Sequence, residues 1–359
     1  MVDEQLPTLG GPMEFGLFME FPAPDGYTDQ QTFQQGFTLV DEAESMGVDS
    51  VWLAEYHFSP FSVLSAPLTV ATALAARTKK IRLGFGVLLL PLNNPIRVAE
   101  EVATLDHISQ GRLDFGIGRG TFPDHHDAFN SPFPESRGRF EEYLEIILKA
   151  WNTEQFSFEG EHYQCHELKV RPKPYQDPHP PIRVGITSAE TFPIIGRMGF
   201  PIFINPSRVF SLPELAPSIQ QYRAAWKQAG HPGEGNVGLR VPVYAAEKAE
   251  DAYNQPMESA MASVTNLGNR VAGSASRDGT SGDWSAQSEN ILRMTYDDWL
   301  RDKVVYGTPE AIVEKLGQLT EDLGLDQIIY EINFGRRIPH ELQMNNLRLM
   351  NEKVIPQLV

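Results

Sequence analysis

The chain has 359 residues, 41% of them hydrophobic, which suits one large domain or two average ones with a sizeable core. Its formal net charge of −17 disfavours nucleic acid and anionic membranes as partners, since both are bound by basic surface. The single Cys165 excludes an internal disulfide and fits a reducing compartment, and no apolar run reaches the ~18 residues of a membrane span.

The opening "MVDEQLPTLGG" is acidic and lacks an apolar h-region, so residues 1–12 read as a short tail and the protein as cytoplasmic. "EFGLFMEF" reads as the first strand. "TFQQGFTLVDEAESMG" has helical spacing through Phe33, Phe37, Val40, Ala43 and Met46, with Gly47 as C-terminal cap. "SVWLAEYHF" is a second strand, rich in β-branched and aromatic residues. "PLTVATALAART" reads as helix and "KIRLGFGVLLLP" as strand. "NPIRVAEEVATLDHIS" is a helix with Pro95 in its first turn. "GRLDFGIGRG" is the fourth strand, followed by the helix "ESRGRFEEYLEIILKAW".

The second half keeps this rhythm. Strands "PPIRVGIT", "PIFIN", "NVGLRVPVYAA" and "DQIIYEINFG" alternate with "AETFPIIGRMG", "PELAPSIQQYRAAWKQAG", a long helical region from about Ala249, and "PHELQMNNLRLMNEKVIP". Eight short apolar strands separated by helices indicate a parallel sheet covered on both faces. Eight such units predict an α/β fold, a (β/α)8 TIM barrel with insertions, as a single domain over 1–359. Two stretches break the rhythm. Residues 152–181 read as a hairpin and return loop. Residues 268–290, rich in Gly, Ser and Asp, read as a mobile loop and candidate lid.

"LDFGIGRGTF" (113–122) has the look of a phosphate loop. A dinucleotide fingerprint would read G-x-G-x-x-G at the first strand and open a helix. Here the third glycine comes one position early, at the fourth strand, and prolines follow at Pro123, Pro132 and Pro134. Crowded barrel backbone accounts for Gly116 and Gly118. Arg119 remains, at the C-terminal end of a barrel strand, where active sites are built, and it reads as an anion-binding residue.

Taken together, "EFGLF", "VWLAEYHF", the block Arg82–Gly120, "ESRGRF", "VGITSAET" and "VVYGTPEAIVEKL" resemble, in order and spacing, the bacterial luciferase-like flavin-dependent monooxygenases over about residues 14–335. The resemblance implies a TIM barrel with reduced FMN at its mouth. It implies a two-component reaction in which a separate flavin reductase supplies FMN by diffusion or transient contact. O2 and a small or medium organic substrate then react through a flavin C4a-peroxide. It also implies a homodimer, built through barrel helices. Two alternatives stay open: a deazaflavin (F420)-dependent dehydrogenase of the same superfamily, and a non-catalytic flavin-binding protein.

The residues fit that reading. A flavin phosphate needs cationic forks and hydroxyl or N–H donors. Arg119 and Arg137 supply the first, and Thr187, Ser188 and Thr191, at the turn into a helix, supply the second. Alternatively, Ser188 caps its helix and Arg137 is solvated. Gly84 and Gly86 let a flat ring approach the third strand, and the family's non-proline cis peptide falls at Gly86–Val87. Glu55, Tyr56 and His57 are the catalytic candidates. The family commonly reads Glu-His-His-Phe here, so Tyr56 stands at the first His, and His57 is either catalytic or structural. Tyr is a poor base near neutral pH. Gly118 replaces the reactive Cys of luciferase. Phe122, Asp124 and His125, in the loop after the fourth strand, are substrate candidates, and "HYQCH" reads as a strand, not a metal site.

Overall fold

The computed structural model describes residues 13–23, 26–59, 61–206, 211–275 and 284–359; the proposed tail, 1–12, lies outside them. Eight parallel strands form the centre: β1 (Glu14–Met19), β2 (Ser50–Leu53), β3 (Arg82–Phe85), β4 (Leu113–Gly118), β5 (Ile182–Ile186), β6 (Ile202–Ile204), β7 (Val237–Ala245) and β8 (Gln327–Glu331). Each pairs with its sequence neighbour, and β8 returns to β1 with Gln327 opposite Glu14. The sheet therefore closes into the (β/α)8 barrel that the eight apolar runs predict. Helices α1 (Asp29–Ser45), α2 (Pro67–Arg77), α3 (Pro95–Ser109), α4 (Ser136–Asn152), α5 (Thr191–Met198), α6 (Leu215–Gln228), α7 (Pro309–Leu323) and α8 (His340–Leu349) accompany it. No helix among the described residues is long and apolar enough to cross a membrane.

The middle layer of the barrel is built around one side chain. Trp52, on β2, is fully buried and donates from its indole N–H to Ser50 Oγ at 2.9 Å. Three other strands, β1, β3 and β4, present glycine towards it. A Cβ on Gly16 would lie 2.8 Å from the indole, one on Gly84 2.6 Å, and one on Gly116 3.2 Å while also striking the carbonyl of Phe85. Close packing at this level leaves no room for even a methyl group. Gly84 thus serves the core and not the ring of a ligand. At the closed end, Arg82 forks onto Asp114 at 2.7 and 3.0 Å, and Arg183 bonds Asn236. These are the stabilising end of the barrel.

The strands are shorter than the apolar runs. β2 stops at Leu53, leaving "AEYHF" in the loop above it. β3 stops at Phe85, and pairing with β4 resumes at Leu88 and Leu89. Within 152–181, Phe156–Glu159 and Gln164–Leu168 form an antiparallel hairpin.

The reading of 268–290 as a loop needs correction. Helix Met257–Ser274 and helix Trp284–Arg293 cover its two ends, and only 276–283 lie outside the described residues. Its small residues are packing devices. A Cβ on Gly268 would lie 2.5 Å from Leu292, and Ser288 Oγ donates to the Gly268 carbonyl at 2.8 Å. Val271, Trp284 and Ile291 join Trp299 and Phe334 in a separate small core above the barrel. A composition rule that reads Gly and Ser as loop misses helices in close contact.

The Trp52 fit makes a test. Gly84→Ala overpacks the barrel and lowers stability by about 1–3 kcal/mol, seen as a lower urea midpoint at unchanged m. An unchanged midpoint would show that the interior has slack.

Candidate functional site

Phe203 stacks on Trp52, ring centroids 5.9 Å apart, and above this pair the barrel opens. The resulting cavity, about 1280 Å³ out to its open mouth, is walled by the ends of β1 to β7. It brings together Glu55, Tyr56, Gly86, Val87, Arg119, Phe122, His125, Arg137, Thr187, Ser188 and Thr191. Asp124 lines an adjoining second cavity of about 1240 Å³ that shares Tyr56, Phe122, Thr187, Arg240 and Arg270 with the first. His57 lines neither.

One end of the first cavity is cationic. Arg119, just beyond β4, rests over the Phe133 ring at 5.2 Å and donates to Ser136 Oγ at 3.3 Å. Burial, then the charge of Arg137, pull its guanidinium below the ordinary arginine value, against the pull of Glu190. Such crowding of like charge marks a place for an anion. Ser188 and Thr191 face each other there, hydroxyl oxygens 2.9 Å apart. The α5 N-terminus receives no side-chain cap, so Ser188 is not its cap. Arg137 is exposed in the first turn of α4 and also reaches the cavity.

The middle of the cavity is shaped by the backbone. The Gly86–Val87 peptide is cis and non-proline. A Cβ on Gly86 would come within 3.0 Å of Phe18 and 3.3 Å of Phe203. A Cβ on Gly118 would run into the Val87 side chain, so a cysteine cannot stand there unless Val87 moves. Cys165 is buried on the hairpin, away from both cavities. Glu55 braces this corner: its carboxylate accepts from the Leu89 N–H at 2.7 Å and contacts His57 Nε2 at 2.8 Å. His57 packs its ring on Phe129, centroids 4.7 Å apart, behind the cavity wall. Among the described residues, no three His, Cys, Asp or Glu side chains gather to hold a metal.

Tyr56 stands in the wall between the two cavities, and around it is a buried charge cluster that sequence reasoning did not assign. Its hydroxyl donates to Glu20 Oε1 at 2.6 Å. Burial, then the Glu20 charge, push the phenol up to about 12. Arg336 donates to Glu20 Oε1 at 3.0 Å and brings its Nε to 2.8 Å from Oε2. It does so from a left-handed backbone (φ 67°) rare for a non-glycine residue. Arg240 lies over the Phe18 ring at 3.9 Å and donates to Glu331 Oε2 at 2.5 Å and Glu20 Oε1 at 3.5 Å. Burial raises the Glu20 carboxyl, but Arg336 and Arg240 outweigh it and hold it below its ordinary value. Glu331 goes the other way: burial outweighs Arg240, and Glu20 adds to the rise, to about 7. The signal was available, because Glu20, Arg240 and Glu331 are single charges inside otherwise apolar strand runs.

"DHHD" is not a loop. Pro123–Ala128 is a short helix beginning shortly after the glycines, with His125 and His126 buried. His125 Nε2 accepts from Arg270 Nη2 at 2.5 Å; burial and then Arg270 push its imidazole down to about 4, so it is neutral. Arg270, on helix Met257–Ser274, also covers the Phe122 ring at 3.8 Å and approaches Asp124 at 3.4 Å. Nothing in the sequence singled out Arg270, since it lay in the stretch read as a loop.

The luciferase-like monooxygenase profile matches residues 13–327. The chain is 30% identical to the alkanal monooxygenase alpha chain of Photorhabdus luminescens over 61% of this chain and 60% of that one. It is 28% identical to the oxygenase component of flavin-dependent trigonelline monooxygenase from Acinetobacter baylyi, over 67% of each. The matched region thus spans about three fifths of the length of such curated relatives. Monooxygenase RslO1 of Streptomyces bottropensis superposes with a TM-score of 0.80 at 26% identity, covering 97% of this chain and all of that one. Two more distant structures share the fold. The FMN-bound oxygenating constituent of 3,6-diketocamphane monooxygenase from Pseudomonas putida has a TM-score of 0.79 (22% identity, 97% and 99% covered). The coenzyme F420-dependent tetrahydromethanopterin reductase of Methanopyrus kandleri has one of 0.73 (19% identity, 97% and 100% covered).

The Glu331 carboxyl gives a pH prediction. A carboxyl raised from 4.5 to about 7 on folding binds its proton more tightly when folded, so it stabilises at low pH and that stability is lost as pH climbs through about 7. Glu331→Gln keeps the neutral form at every pH. The urea midpoint of the variant should therefore rise relative to wild type between about pH 5 and about pH 8. A constant difference would place the titration elsewhere.

Proposed function

The chain belongs to the luciferase-like monooxygenase family, and from that premise we propose that it is the oxygenase of a two-component, flavin-dependent monooxygenase. In this reading it takes reduced FMN from a separate flavin reductase and, with O2, oxygenates a small or medium organic substrate. The observation that carries it is the first cavity, with a cationic, hydroxyl-rich end and, deeper in the barrel mouth, a wall thinned to backbone.

The residues fit FMN on chemical grounds. Arg119 and Arg137 crowd positive charge where Ser188 and Thr191 offer hydroxyls, which suits a phosphate. Thr187 continues that wall. Gly86 and Val87 would back the ring system, where a side chain at position 86 would press on Phe18 and Phe203. Bound reduced flavin supplies the electrons that activate O2. The chain's task is then to bind, orient and keep water out, and Phe18, Phe122 and Phe203 line the cavity for that.

Tyr56 is the residue we assign to the chemistry. A phenol raised to about 12 keeps its proton through physiological pH and acts as a donor, not a base. Its proton is held towards Glu20 Oε1. If the hydroxyl turns to donate to a substrate oxygen, Glu20 stays compensated by Arg336 and Arg240, so the motion strands no buried charge. Glu55 and His57 act as positioning residues that secure the segment after Val87, and Phe122, Asp124 and His125 border the substrate.

The F420-dependent alternative rests on fold alone. A turnover assay decides it: transfer of one atom of labelled O2 into an organic product with reduced FMN supports the oxygenase, and hydride transfer from reduced F420 without oxygen incorporation rejects it. The phosphate assignment is tested with Arg119→Ala/Arg137→Ala. Losing two charge-assisted contacts of about 1.5–3 kcal/mol each should weaken FMN by at least 100-fold, while riboflavin, which has no phosphate, binds as in wild type. Equal losses for both flavins would refute it. Tyr56→Phe should bind FMN normally and yield about 100-fold less oxygenated product, with more of the O2 recovered as hydrogen peroxide.

A further inference from the structure

The second cavity is walled partly by rings and partly by charge. Phe122 and Phe334 lie within it, and Phe58 (67% exposed) and Phe61 (37%) stand open on its rim. Large aromatics so exposed at the edge of a cavity mark a place where something apolar and flat docks. Charged side chains share the same wall. Arg240, Arg270 and Arg336 face Glu20, Asp124 and Glu331. Glu331 is the partner of Arg240, and burial raises its carboxyl to about 7.

Arg270 is the least paired of the three arginines. Arg240 is buried between two carboxylates and Arg336 grips Glu20 with two nitrogens. Arg270 by contrast uses Nη2 alone, towards neutral His125 and, at 3.4 Å, Asp124. Its pair with Asp124 is long and partly exposed on both sides, and such pairs contribute little. Nε and Nη1 have no partner among the described residues, although a guanidinium carries five N–H donors. The group is also held in place, stacked on Phe122 and pinned by His125, so little entropy opposes a further bond.

We propose that the second cavity takes a planar organic carboxylate as the molecule to be oxygenated, and that Arg270 is its specificity-determining residue, donating its unpartnered N–H groups to the carboxylate while the ring lies among the phenylalanines. This rests on the reading of the first cavity as the FMN site. The carboxylate pairs with the free edge of the Arg270 guanidinium, and Arg270, which lines both cavities, sets the far end of the molecule while the remainder points past Tyr56 towards the flavin site.

Calorimetric titration of the full chain tests this with benzoate as probe and benzamide as its uncharged counterpart. Benzoate is expected to bind at least tenfold more tightly than benzamide. Arg270→Gln should bring the two within about twofold, and Arg270→Lys, which keeps the charge, should retain part of the preference. Benzamide binding as well as benzoate, benzoate failing to bind at millimolar concentration, or an undiminished preference in Arg270→Gln would each overturn the proposal. FMN titrated into the same proteins separates the two readings. Normal FMN binding beside a failed benzoate preference removes this inference alone, and absent FMN binding removes the flavin reading.

Discussion

The barrel depends on the volume of one tryptophan. Trp52 occupies the space that a TIM barrel ordinarily fills with layers of branched side chains, and Gly16, Gly84 and Gly116 give way around it. The consequence runs upward. Phe203 lies flat on the indole, and Phe18 and Phe203 together form the floor over which Gly86 and Val87 pass. Val87 in turn accounts for Gly118 and Gly185, since a Cβ at either would meet its methyl groups. The glycines of "LDFGIGRG" thus form part of a single packing solution that begins in the core and ends at the cavity wall.

A second constraint is electrostatic. The protein is acidic as a whole, yet its barrel mouth gathers Arg119, Arg137, Arg240, Arg270 and Arg336. Arg137 is exposed, but withdrawing the other four wholly or partly from water is costly unless each is paired. The charges at the ends of β1, β7 and β8 meet that demand among themselves, with Glu20 shared by two arginines and a tyrosine. Arg119 and Arg270 are less completely paired, which is why the proposed phosphate and carboxylate sites rest on them. The cluster also sets the protonation of Tyr56. Against a carboxylate held ionised by two guanidinium groups, a phenol keeps its proton, so the position serves as a donor.

The helical excursion between β7 and β8 ties the two cavities together. It carries its own small core, with Trp299 stacked on Phe334, centroids 5.6 Å apart, and hangs Arg270 over the mouth. Its packing relies on Gly268 and Ser288, residues whose smallness lets two helices touch.

Much of this was legible in the chain itself. Apolar runs of β-branched residues between amphipathic helices can bury both faces only as a parallel sheet, and eight of them close. That reasoning located all eight strands. The site residues named from the family pattern, Gly86, Val87, Arg119, Arg137, Ser188 and Thr191 among them, follow strands of the barrel, and closure alone brings strand ends together. Pairing across the barrel was not legible. Glu20, Arg240, Glu331 and Arg336 are far apart in sequence, and each alone is only a charge near a strand. His57 shows the converse: a histidine next to a catalytic candidate in sequence turned behind the wall, because its partner Glu55 is bound to the backbone of the following strand. Residues 268–290 show the limit of composition, since small residues make a mobile segment in isolation and a tight helix contact beside Leu292. Local periodicity determined the barrel and which segments end at its mouth. Only tertiary packing decided which side chains meet there, because burial, charge pairing and close approach are properties of neighbours that the chain does not list in order.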